Sequence, residues 1–94
     1  MTFVLIRFSV EDFEKWKPGF EAAAALRTKA GSKGIRAFTK VDNTNEVVIL
    51  GEFAGLETAR QFFQSPELRE AQQRAGVIGI PELTYLDEKV NLPA

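Results

Sequence analysis

The chain has neither cysteine nor histidine in its 94 residues. The first absence excludes disulfides, thiol catalysis, cysteine-ligated zinc and iron–sulfur clusters. The second removes the side chain best suited to proton transfer near neutral pH and a common protein ligand of haem iron. A charge excess of one sign is also missing: 12 basic and 13 acidic residues leave a net −1. On that balance neither nucleic acid nor an anionic membrane is an expected partner. No apolar run is long enough to span a bilayer, and the start, MTFVLIRF, lacks the basic region and small-residue cleavage site of a secretory leader. A cytoplasmic protein is expected, with no metal and no cofactor.

What is present is a set of short periodic segments. Thr2–Phe8 alternates apolar residues on both sides, Phe3 and Leu5 against Val4, Ile6 and Phe8, so it reads as a central strand covered twice. Ser9 has the chemistry of a helix N-cap, with Asp12 three residues later. In Val10–Phe20, VEDFEKWKPGF, the side chains Phe13, Trp16 and Phe20 stand three and four apart and share one helical face. Pro18 predicts a kink or restart in that helix. The alanine-rich Ala22–Ala25 predicts close approach to whatever platform lies below, and Gly31 is a natural stop.

Lys33–Val41 and Glu46–Phe53 read as strands joined by the turn residues Asp42–Asn45. Pairing Val41 with Glu46 puts Arg36 opposite Gly51 and Phe38 opposite Ile49. Leu56, Ala59, Phe62 and Phe63 mark a further helix, and Ser65-Pro66-Glu67 restarts it with a cap, a proline and an acid in favoured order. Gly76–Pro81 reads as an apolar loop, and Glu82–Asp87 as a last strand. The order βαββαβ with right-handed crossovers predicts an α+β, ferredoxin-like domain over 1–94. Its four-stranded antiparallel sheet has the order 4-1-3-2. Helices then cover one sheet face only. The other keeps several large apolar side chains, each worth about 1.5–3 kcal/mol when buried, so a homodimer packed sheet against sheet is expected.

Several segments, Val10–Lys17, Gly31–Phe38, Asn45–Phe53, and Ala59–Ala71 followed by Ala75–Pro81, resemble the small dimeric α/β-barrel proteins related to antibiotic-biosynthesis monooxygenases. The resemblance covers roughly residues 3–88. It implies a homodimer of ferredoxin-like monomers, each with a pocket between helices and sheet. It also implies relatives that oxygenate polyketide-like aromatics without metal or flavin, cyclise polyketides, or degrade haem. The haem degraders place a histidine on the iron, which this chain lacks. The oxygenases surround their substrate with an asparagine, a tryptophan and an arginine. Here the tryptophan is Trp16 of the first helix, and Asn43, Asn45 and Asn91 fall in a turn or tail, so no catalytic position transfers.

Candidate binding residues carry two readings each. Trp16 and Phe20 can wall a pocket or fill a core. Arg36, if it faces Gly51, can meet a ligand carboxylate or enolate, or simply be exposed. Glu52 can be a desolvated base, or reach water or an arginine. Arg7 can pair with a buried acid or ligand. Tyr85 can donate a hydrogen bond to a ligand or pack at a rim. Gly76–Pro81 can be a lid or a partner contact. Two functions follow. One is a cofactor-independent oxygenase- or cyclase-like enzyme acting on a small aromatic or polyketide-like molecule. The alternative is a non-catalytic dimer that binds a small ligand. RNA binding by the same topology is disfavoured because the third strand, EVVILGEF, lacks the required basic and aromatic pattern.

Overall fold

The most apolar segment of the chain lies at the middle of its sheet. A computed structural model, describing residues 1–94, places strand β1 at Thr2–Val10, helices α1 at Phe13–Ala22 and α2 at Ala24–Lys29, and strands β2 at Ser32–Lys40 and β3 at Asn43–Phe53. Helices α3 at Leu56–Phe63 and α4 at Pro66–Arg74 follow, then strand β4 at Val77–Leu86. The sheet is antiparallel with order β2-β3-β1-β4, so β1 and β3 are central, as their two-sided apolar pattern predicts. No helix is long and apolar enough to cross a membrane.

All four helices lie on one face. Val4, Ile6, Phe8 and Val10 of β1 and Val47, Ile49 and Phe53 of β3 are buried there beneath Trp16, Ala59 and Phe62. The smallest dimension of the molecule, 20 Å, corresponds to one sheet and one helix layer. The opposite face has no cover. Cross-strand rows there read Arg36–Leu50–Leu5–Thr84 and Phe38–Val48–Arg7–Glu82, with Phe3 between Glu52 and Leu86.

Local chemistry departs from expectation at five points. The α1 cap is Asp12, whose carboxylate accepts from the Glu14 amide at 3.0 Å. Ser9 instead stays in β1, where pairing on both sides holds it extended and its hydroxyl donates to Glu46. Helix α1 runs through Pro18, and the break comes at Ala23, five residues later. The hairpin turn is Val41-Asp42, and a bulge follows at Asn43–Glu46, where the Asn45 amide donates to the Asn43 side chain at 3.1 Å. That bulge shifts the register by one residue. Arg36 lies opposite Leu50, Phe38 opposite Val48, and Ile35 opposite Gly51. Finally, Val77–Pro81 belongs to β4. Gly79, at φ +73°, accommodates an irregularity there, and Ile78 and Ile80 are exposed on the edge strand.

The α4 start behaves as its residues predict. Ser65 accepts from the Leu68 amide at 3.2 Å with Pro66 in the first helical position. Ser65→Ala is expected to cost about 1 kcal/mol, read as a lower urea midpoint at unchanged slope.

Candidate functional site

The aromatic stripe of α1 closes one side of a cavity of about 70 Å³ between the helices and the sheet. Trp16 is buried and stacks on Phe20, centroids 4.7 Å apart, with Phe8 at 5.5 Å and Phe13 at 5.6 Å. Phe62 and Phe63 of α3 and Leu68 and Ala71 of α4 complete the apolar lining. Gly19 faces Ala75 at the end of α4, where a Cβ would make an ordinary contact of 3.6 Å with the Ala75 methyl. Trp16 is thus both core residue and cavity wall. Most of the space beneath α1 is filled by side chains, and the cavity is what they leave.

The residue missed in the sequence is Arg27. Helix α2 turns it inward, while the alanines expected to approach the sheet behave otherwise: Ala22, Ala24 and Ala25 are exposed and Ala23 half-buried. Arg27 is 8% exposed, lines the cavity, and holds its guanidinium 4.2 Å from the Phe20 ring centroid. Burial lowers its pKa from the ordinary guanidinium range. The signal was present. The three-and-four spacing of Phe13, Trp16 and Phe20 continues through Ala23 to Arg27, so the arginine extends the buried stripe.

Neither Arg27 nor Trp16 is satisfied within the chain. Side-chain hydrogen bonds run from or to Ser9, Asp12, Thr28, Asn43, Arg60 and Ser65, and none reaches the guanidinium or the indole N–H. The one ion pair, Arg60–Glu57 at 3.4 Å, is on the surface. No side-chain nitrogen is sealed from solvent without a partner, so both groups keep open space beside them. Gln72 is the cavity's other polar side chain, and no carboxylate lines it.

The remaining candidates lie elsewhere. Arg36 and Glu52 project from the uncovered sheet face, where a shallow hollow of about 240 Å³ runs past Phe3, Gly34 and Leu50. Gly51 provides no opening for Arg36. It faces the helices, and the room left by its missing Cβ is taken by the Phe53 ring edge at 3.2 Å and Ile35 at 3.6 Å. Arg36 rests its guanidinium 5.0 Å from the Phe38 ring centroid. Arg7 is exposed on the same face, directly opposite Glu82. Tyr85 lies on the helix side of the edge strand β4, with the Arg60 guanidinium 5.6 Å from its ring centroid. Partial burial pushes its phenol pKa up, and Arg60 pulls the other way. Of the five binding candidates, Trp16 and Phe20 share the cavity with Arg27, while Arg36, Glu52 and Tyr85 do not.

No protein-family model matches the sequence, and no curated protein matches it. The backbone, however, superposes on solved structures over nearly its whole length. SnoaB, a cofactor-independent oxygenase from Streptomyces nogalater, matches with a TM-score of 0.79 at 18% identity, covering 99% of this chain and 97% of its own. A candidate antibiotic biosynthesis monooxygenase from Bordetella bronchiseptica gives 0.80 at 13% identity, over 95% and 97%. A monooxygenase from the gene ActVA-Orf6 of Streptomyces coelicolor, in complex with nanaomycin D, gives 0.69 at 20% identity, over 99% and 92%. The chain therefore has the ferredoxin-like fold of the antibiotic biosynthesis monooxygenase structures.

Proposed function

We propose that this chain forms a homodimer, sheet against sheet, and that each protomer binds a small aromatic or enolisable molecule in the cavity beneath α1. There the molecule reacts with dioxygen as the substrate of a cofactor-independent monooxygenase. The observation that carries the reading is the cavity itself: an aromatic-walled space with an indole N–H and a guanidinium left unpaired beside it. In this reading the substrate supplies the electrons. A ring methylene flanked by activating groups loses a proton to solvent water, and the carbanion adds O₂ and regains a proton as a hydroperoxide. The methylene becomes a carbonyl as one oxygen atom is retained and the other leaves as water. The protein contributes a water-poor site, a flat wall and hydrogen-bond donors.

The dimer is supported by the uncovered face. It carries Phe38, Ile78 and Leu86 as exposed apolar side chains, with Phe3, Leu5, Val48 and Leu50 half-buried among them. Within the 34 × 32 Å extent of the molecule, such a face can supply the roughly 800 Å² per partner of a standard interface. Arg7 and Arg36 there are balanced by Glu46, Glu52 and Glu82, a mixture that a two-fold axis can set in opposite-charge register. In this reading Arg36 and Glu52 act at the interface and Tyr85 at the rim of the helix layer.

A second reading, a non-catalytic ligand-binding dimer, is favoured by the lack of any carboxylate or histidine base in the cavity. Oxygen uptake separates the two. With cyclohexane-1,3-dione and its ring-substituted analogues in air, the protein is expected to consume O₂ above the uncatalysed rate, and Ala71→Leu, which fills the cavity, to abolish the excess at an unchanged melting temperature. A compound that raises the melting temperature with no uptake across such a panel would establish the second reading. Uptake undiminished in Ala71→Leu would place the chemistry outside the cavity.

A further inference from the structure

We infer that the cavity selects a compact anion, a single-ring carboxylate, phenolate or enolate, and that Arg27 holds the charge. The inference takes the location of the ligand from the reading above and adds its chemical class.

Three observations converge on Arg27. It is more than nine-tenths buried, yet it has no acid partner and no side-chain hydrogen bond within the chain. Its stem is buried while its guanidinium nitrogens keep contact with solvent, so water stands where a partner would, and an anion could displace it. The only electrostatic contact it makes is with the face of Phe20, which also lines the cavity. Its planar fork of donors is suited to a carboxylate or an enolate oxygen.

The rest of the lining gives the charge no internal competitor. Its apolar residues carry no formal charge, and Gln72 is neutral. The guanidinium is therefore the one formal charge on the wall, and an anion placed beside it meets no repulsion. With no base at hand, ionisation of a weakly acidic ligand is favoured only by this neighbouring positive charge. Size narrows the class. About 70 Å³ of free space between the side chains favours one ring over a fused tricycle. A ring in this space would lie against the stacked Trp16 and Phe20, whose faces favour flat partners.

The test uses the full chain and its single tryptophan as reporter. Benzoate and benzamide have nearly the same shape and differ in charge. Titration into the wild-type protein, followed by Trp16 fluorescence and melting temperature, is expected to show saturable binding of benzoate, with benzamide about tenfold weaker or more. In Arg27→Met, which keeps the length of the aliphatic stem, benzoate is expected to fall to the benzamide level while benzamide is unchanged. Arg27→Lys is expected to retain part of the preference. Without ligand, Arg27→Met is expected to melt near the wild-type temperature, since the guanidinium has no partner in the chain to lose and its nitrogens already meet solvent. Equal binding of the two compounds by the wild type, or no saturable response to benzoate at millimolar concentration, would overturn the inference without recourse to any variant. So would a benzoate preference that survives in Arg27→Met. Benzoate binding without oxygen uptake on cyclohexane-1,3-dione or its ring-substituted analogues would count against the oxygenase alone. Oxygen uptake inhibited equally by benzoate and benzamide would count against the anion assignment alone.

Discussion

Replacing Phe53 by alanine is expected to destabilise the protein by about 3–5 kcal/mol, a large part of the total for a domain this size. Phe53 is fully buried at the end of β3. Its ring meets Phe63 edge-on, with centroids 5.5 Å apart at 70°, and stands 6.3 Å from Phe62. The same ring edge occupies the space left by Gly51. Truncation removes the buried apolar surface and opens a void that three fixed neighbours cannot close: two aromatic rings on a helix and a glycine in a central strand. The urea midpoint should fall strongly at an unchanged slope, measured at one protein concentration because a dimer's apparent stability depends on it. A loss below about 1 kcal/mol would mean that α3 does not depend on this contact.

The second large effect lies on the other side of the sheet. Leu50→Lys is expected to convert a dimer into a monomer at micromolar concentration. Leu50 sits in a central strand between Leu5 and Arg36, at the middle of the uncovered face. Two-fold symmetry doubles every substitution, so one lysine per chain puts two cations into the interface, each beside an existing arginine. Burying unpaired charge costs several kcal/mol, enough to weaken association by a factor on the order of a thousand. Sedimentation reads the change directly. The far-UV spectrum should stay the same, because the helix-covered core is on the opposite face. A wild-type chain that sediments as a monomer would remove the basis for the prediction and for the sheet-on-sheet assembly.

The fold was legible because its signals are redundant. β1 and β3 are apolar on both alternating sets, which marked them as central. The same two strands follow from right-handed crossovers, so topology and burial were read twice from separate features. Ser65-Pro66-Glu67 also carried its cap in sequence. Register was harder because it depends on one bulge. The extra residues at Asn43–Glu46 leave no period-two signature of their own, and a one-residue slip moves the whole set of β2 side chains to the other face. That slip is why Arg36 seemed to face open space at Gly51.

The cavity was half legible. Trp16 and Phe20 stand out as aromatics at helical spacing, whereas Arg27, a cation near a helix end, does not. Its charge masked its place on the stripe. An arginine two turns along an aromatic face is a pattern that hydrophobic periodicity, counted over apolar residues alone, passes over.

The joint at Ala23 bears on how anything reaches this cavity. The helix layer consists of four segments of 10, 6, 8 and 9 residues, each shorter than the roughly 12–15 residues at which an isolated helix holds together in water. Each persists only through its seat on the sheet. The shortest, α2, has no side-chain cap and no acid in its first turn. Fraying of that one segment would carry Arg27 outward and widen the opening beside Phe20, leaving the ladders of β1 and β3 untouched. The width of the opening would then follow the melting of six residues, those that carry Arg27.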